Sequence, residues 1–187
     1  MPPSAPATSP RRSELLELAY EYVLEHGVAD LSLRPLAAAV SSSPRVLLFL
    51  FGSKAELVQA ILARARVDEL ALLERVRATA TGDGLIAMAS ELWGWLAAGE
   101  HRGLLTLWVE GYARSLIDAS GPWAGFAATT VADWLEVLAE SGAAGEAEPT
   151  LVLAVLRGAM LDLLATGDVE RTTNAVNRQL ALLAPAR

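Results

Sequence analysis

The sequence contains no cysteine, only two histidines (His26 and His101) and a single lysine, Lys54, in 187 residues. Without cysteine there is no disulfide framework, no thiolate nucleophile and no Cys-based zinc site. Two isolated imidazoles leave little material for a transition-metal centre, so neither a metal nor a cofactor is expected. His101 has Glu100, Glu110 and Asp118 in its neighbourhood of the sequence. No glycine-rich phosphate loop, G-x-S-x-G elbow or H-E-x-x-H pair accompanies them. The chain is therefore not expected to be an enzyme.

Long charge-free runs are also missing. Val46 to Ser53 is only eight residues, and Ala119 to Ala132 is interrupted by Gly121, Pro122 and Gly125, whereas a membrane-spanning helix needs about 20 mostly apolar residues. Yet 53% of the residues are hydrophobic and the mean hydropathy is +0.35. That apolar surface has to be buried in a core, a ligand cavity or a subunit interface, and the expectation is a cytoplasmic protein with no membrane partner. Met1 to Pro10 is Pro, Ser and Ala without the apolar segment of a secretory leader, and residues 1–9 are read as a disordered tail.

The formal charge of −7 argues against a polyanion partner until it is divided along the chain. Up to Arg66 there are seven basic and six acidic residues, and beyond it eight and sixteen. The acidity lies downstream, so the first part can keep a locally positive face while the remainder repels nucleic acid.

What the sequence has in abundance is helical periodicity, with no alternating run long enough for a strand. The fold class is all-α, with about nine helices. Ser9 followed by Pro10 is a cap-then-proline start, Leu15, Ala19, Tyr22 and Val23 share a face, and Gly27 ends this first helix. Ser32 is placed to cap a short second helix that buries Leu33, Leu36, Ala37 and Val40. Ser43 and Pro44 repeat the start signal for a two-turn third helix ending near Phe51. Gly52 breaks, and Ser53 with Glu56 has the spacing of a reciprocal capping box opening a long fourth helix to about Thr79. A turn from Thr81 to Gly84 follows. Five further helices are expected at Leu85–Ala98, Arg102–Leu116, Pro122–Glu140, Pro149–Ala165 and Val169–Leu183, punctuated by glycines.

Three helices in about 50 residues, the last two short and joined by a tight turn of small residues, form a helix-turn-helix pattern. A helix about 10 to 12 Å across fits the DNA major groove and presents its first turns to base edges. The segment Leu31 to Leu62, LSLRPLAAAVSSSPRVLLFLFGSKAELVQAIL, resembles the signature of TetR-type transcriptional regulators. Ser32, Leu33, Leu36, Ala37, Ser43, Leu47, Phe51, Ser53, Lys54 and Leu57 fall at the matching positions. The resemblance implies a DNA-binding domain over residues 10–53 and an effector-binding and dimerisation domain over 54–187, with helix 4 as connector. It also implies that Ser32, Arg34 and Lys54 meet phosphates, and that Ser43, Pro44, Arg45, Val46, Leu48 and Phe49 face the groove. Of these only Arg45 can make a bidentate contact to guanine. The chain departs from the family pattern at Ser41, where glycine is usual, and at Leu48, where tyrosine is usual at or beside the position. Helix 3 is greasier than a typical recognition helix.

No family signature extends beyond helix 4. The tryptophan-rich downstream helices suggest a pocket for a small apolar effector, with Met88, Leu92, Trp95, Trp108, Tyr112, Phe126, Trp134 and Met160 as walls and Glu110 or Arg114 as polar anchors. The last two helices carry Leu151, Val155, Leu156, Leu163, Val176, Leu180 and Leu183 at helical spacing, with Gly158 and Ala159 permitting close approach. The resemblance implies that these residues form a homodimer interface and that the dimer sets two recognition helices roughly 34 to 36 Å apart on a palindromic operator. The function so implied is a ligand-responsive regulator, a repressor released from double-stranded DNA by its effector. The alternative is a dimeric small-molecule-binding or interaction protein of the same fold with weak or lost DNA binding.

Overall fold

Serine–proline pairs begin two of the helices where local chemistry says they should. In the computed structural model, which describes residues 9–79, 84–141 and 145–183, α1 spans Pro10–His26, with the Arg12 N–H donating to Ser9 Oγ at 3.2 Å and Gly27 ending it at φ 77°. Helix α2 is Leu33–Ala39 and α3 is Pro44–Phe51, the latter capped by Ser43, whose hydroxyl accepts the Val46 N–H. Between them Ser41 adopts φ 50°, the one left-handed non-glycine residue among those described. Helix α4 runs Lys54–Thr79, and Ser53 Oγ accepts the Glu56 N–H at 3.1 Å. The expected return bond from the Glu56 carboxylate is replaced by packing against Gly52, where any side chain would collide with that carboxylate.

Beyond α4 come α5 (Leu85–Leu96), a 3-10 turn (Gly99–His101), α6 (Arg102–Ile117), α7 (Phe126–Ala139), α8 (Ala147–Thr166) and α9 (Val169–Leu182). The described residues thus form nine α-helices and no strand. Helix α7 starts at Phe126 rather than Pro122 because Gly125 turns left-handed at φ 76° just before it, leaving Trp123 buried in the preceding turn. Helix α8 starts two residues earlier than expected, and Pro149 sits in its first turn, where no intrahelical N–H is needed. Residues 1–8 of the expected tail and Thr81 to Asp83 of the expected turn lie outside the described residues.

Helices α1 to α3 close around Leu15, Ala19, Val23, Leu36, Val40, Leu47 and Phe51, all buried. Truncating a residue such as Leu47 to alanine would cost about 2–5 kcal/mol. Arg12 lies over the Phe51 ring, 4.8 Å from its centroid, and donates to the Leu50 carbonyl at 3.3 Å. A cation thereby meets the negative end of α3. Helix α4 packs first on α1, where Tyr20 donates to Asp68 at 2.6 Å and Arg64 lies over the Tyr20 ring while bonding Glu17. Burial and Asp68 hold the Tyr20 phenol well above its ordinary pKa, so it stays a donor. The far half of α4 packs on α5 and α7. Helix α6 lies directly on α1 because Gly103 has no side chain; a Cβ there would stand 2.4 Å from the Leu24 carbonyl oxygen. The buried residues of all these helices belong to one continuous core.

By length and composition α8 could cross a membrane, and α3 with α4 could do so only as a segment bent by 71°. The charge-free runs of the sequence did not disclose α8, because Arg157 and Asp162 lie within it. In the fold α8 packs along α9 and against α5, α6 and α7.

Candidate nucleic-acid interface and interior cavity

Helix α3 divides its residues cleanly. Leu47 and Phe51 point into the core, while Arg45, Val46, Leu48 and Phe49 are exposed on the other side. Phe49 is 85% exposed and Val46 and Leu48 about 40%, the opposite of where burial would place them. Ser43 is exposed and Pro44 half-buried at the helix start.

Ser32, Arg34 and Lys54 come together around a shallow depression floored by Ala29 to Leu33. Ser32 occupies the N-cap of α2 but makes no side-chain capping bond, so its hydroxyl is open to an outside partner. Lys54 opens α4, whose first-turn N–H groups and positive dipole end favour an anion. From Leu31 to Ala55 there are three cations, Arg34, Arg45 and Lys54, and no acidic residue. None of the three is in an ion pair among the described residues.

Downstream, a cavity of about 250 Å³ opens between α6, α7 and α8. Trp108, Tyr112, Trp134 and Met160 line it as expected, joined by Leu96, Val109, Ala113, Leu116, Thr130, Leu153, Leu156, Arg157 and Leu161. The other expected ligand residues are elsewhere. Met88 and Leu92 are core residues of α5. Trp95 sits behind the wall, stacked on His101 and on Trp108 at centroid distances of 3.7 and 5.7 Å. Phe126 packs on Gly111. Arg114 is exposed and does not reach the cavity. Glu110 accepts the Val28 N–H at 2.8 Å, tying α6 to the end of α1. The cation that does line the cavity is Arg157, lying over the Tyr112 ring at 4.9 Å. Sequence reasoning missed it because, of the residues on α8, only Met160 had been given to the pocket, the others singled out there having been given to the subunit interface.

Behind the cavity wall lies Glu69, fully buried on α4. Its Oε1 accepts the Trp134 Nε1–H at 2.8 Å, and its Oε2 has no partner; neither do Trp108 Nε1 and Thr130 Oγ1. Burial raises the Glu69 carboxyl above its ordinary pKa, against the opposing effects of the Trp134 bond and Arg66. Arg66 itself is paired with Asp133, which makes a second link between α4 and α7. Trp134 also meets Trp108 edge-on at 6.1 Å, so an aromatic row runs from His101 through Trp95 and Trp108 to Trp134. Among the described residues no three His, Asp or Glu side chains gather as a metal site.

No protein-family model and no curated protein matches the sequence. Solved structures do resemble this one over nearly its full length. The multidrug binding protein EbrR, complexed with imidazole, aligns with a TM-score of 0.69 at 24% identity, covering 96% of this chain and 93% of that one. A transcriptional regulator from Rhodococcus sp. Rha1 gives 0.74 at 19% identity, with 91% and 94% covered. A TetR transcription regulator from Haloarcula marismortui gives 0.66 at 18%, with 90% and 93% covered. This chain has the TetR-regulator fold.

Within this TetR fold the expected dimer residues separate into two groups. Leu156, Leu163, Val176 and Leu180 are buried inside the protomer, packed into the α5–α9 core, and cannot face a second copy. Leu151 and Gly158 are exposed, and Val155, Ala159 and Leu183 are half-buried. With Ala154 and Leu161, Leu151 and Gly158 form an outward stripe of small and apolar side chains on α8. Both faces of this helix are apolar, and only the packing tells them apart.

Proposed function

We propose that the protein is a ligand-responsive, DNA-binding regulator of transcription that acts as a homodimer. The observation that carries this reading is the exposed outer face of α3 within a segment, Leu31 to Ala55, that holds three cations and no acidic residue in a chain of net charge −7, although Asp30 borders the depression that Arg34 and Lys54 share. Lys54 and the α4 N-terminus suit one phosphate, Ser32 and Arg34 another, and Arg45 is the group able to read guanine. Pairing through the outward α8 stripe would set two copies of α3 against successive major-groove faces of a palindromic operator.

The cavity supplies the regulatory half. Its apolar walls fit a small, largely apolar effector, and EbrR, of similar fold, has been solved with imidazole, proflavin and malachite green. An effector that binds better to a conformer with the wrong α3 separation would release DNA, by an amount limited to its differential affinity. Helix α4 joins the two events, since Lys54 stands at one end and Glu69 supports the cavity wall. The protein then works in the cytoplasm, on DNA, with no membrane partner.

A second reading is favoured by the apolar character of α3. It is a dimeric small-molecule-binding protein that keeps this fold without gripping DNA. Selection of duplexes from a random pool, with binding measured across salt concentrations, separates the two. A regulator shows affinity falling steeply with salt. Lys54→Ala should then weaken all sequences nearly equally, and Arg45→Ala should relax one base position. Salt-insensitive or absent binding would overturn the regulator reading and leave the second one standing.

A further inference from the structure

We infer that α3 recognises its operator chiefly through thymine methyl groups, using Phe49, Val46 and Leu48 as an apolar reading strip; this rests on the DNA-binding reading above. Of the four side chains exposed on the outer face of α3, three are apolar and one, Arg45, is polar. The inward side is already filled by Leu47 and Phe51. Phe49 therefore has no place to go within the protomer, and its 85% exposure calls for an apolar partner outside it.

The frame around the strip names that partner. Arg45 lies on the same exposed face, and Arg34 and Lys54 share a depression formed by the start of α2 and the start of α4, with no acidic residue between Leu31 and Ala55, a complement to the phosphates that flank a groove. The only apolar feature that a base pair presents in the major groove is the C5-methyl of thymine. Against a phenyl ring, the exposed N–H of cytosine or adenine would be desolvated without a partner, which works against those bases at the same positions. The strip thus both attracts thymine and rejects alternatives. Arg45 and Phe49 are four residues apart, about 6 Å along the helix. Its guanine should therefore fall within about two base-pair steps, at ~3.4 Å each, of the thymines.

The test replaces selected thymines in the bound duplex one at a time by deoxyuridine, which removes the methyl and nothing else. Each methyl under the strip should weaken binding about three- to fourfold, with the salt dependence unchanged because no phosphate contact is lost. Phe49→Ala should erase the thymine–uracil difference at its own position. Lys54→Ala should weaken both duplexes alike and preserve their ratio. Thermal melting followed by circular dichroism checks that Phe49→Ala folds as the parent does, as expected for a surface side chain. Salt-sensitive binding with equal affinity for thymine and uracil duplexes overturns this inference and leaves the regulator reading intact. Failure to bind any duplex in a salt-sensitive way overturns both.

Discussion

Glu110, midway along α6, accepts the backbone N–H of Val28 at 2.8 Å across the junction between the three N-terminal helices and the rest of the molecule. The same carboxylate lies so close to Gly27 that a side chain there would collide with it. Glu110→Ala leaves a part-buried amide without its partner and should destabilise the protein by about 1–3 kcal/mol. Glu110→Gln keeps an acceptor and should lose less. Urea denaturation of the two variants beside the parent measures the difference; equal stability of all three would remove Glu110 from the junction.

Glu69 should make stability depend on pH in a definite direction. Its folded-state pKa is raised by burial above its ordinary value of 4.5, so the native state holds the proton more tightly than the unfolded chain. The stability it contributes is fully present below about 4.5 and is lost as pH rises through the folded-state value. Glu69→Gln cannot titrate and can still accept from Trp134. Its stability relative to the parent should therefore increase from pH ~4.5 upward, as read from urea midpoints at several pH values. A constant difference would mean that the carboxyl is not perturbed by its burial.

Ser41 occupies the left-handed region at φ 50°, where a Cβ is strained and glycine is not. Ser41→Gly should raise stability by about 0.5–1 kcal/mol, the relief of strain outweighing the added freedom of the unfolded chain. A higher melting temperature is the expected readout, and a lower one would show that the Ser41 side chain contributes more than its backbone costs.

The α8 stripe is tested by charge. Ala154 is exposed at its centre, and Ala154→Glu should give monomers in sedimentation velocity while leaving helicity intact, because like charges would face each other across the two-fold axis. Leu156, two residues on and so on the opposite, inward face of α8, is 1% exposed. Leu156→Ala should lower stability by about 2–5 kcal/mol without the same effect on association. Retention of the dimer by Ala154→Glu would place the interface elsewhere.

These contrasts explain what could be read from the sequence. The starts at Ser9–Pro10 and Ser43–Pro44 and the stop at Gly27 are local chemistry, so α1 and α3 fall where they were expected. The outward face of α3 came from the resemblance to TetR-type regulators, and the structure places Arg45, Val46, Leu48 and Phe49 exposed there, opposite the buried Leu47 and Phe51. Helix α8 was not legible, because periodicity reports that two faces are apolar but not which meets the protomer and which meets a partner. Hence Leu156 was read as interface although it lines the cavity, and Arg157 was overlooked. Glu110 was misassigned for a related reason: its partner is a main-chain amide 82 residues away in sequence, and nothing in side-chain type announces such a bond.

The row of rings from His101 through Trp95 and Trp108 to Trp134 ends in the cavity wall. The two indoles in that wall, Trp108 and Trp134, are packed against each other, and Trp95 stacks on Trp108. The molecule consequently carries its own optical reporter: the proposed effector, once in the cavity, would alter the surroundings of neighbouring emitters at once, so a titration could be followed by native fluorescence without attaching a dye.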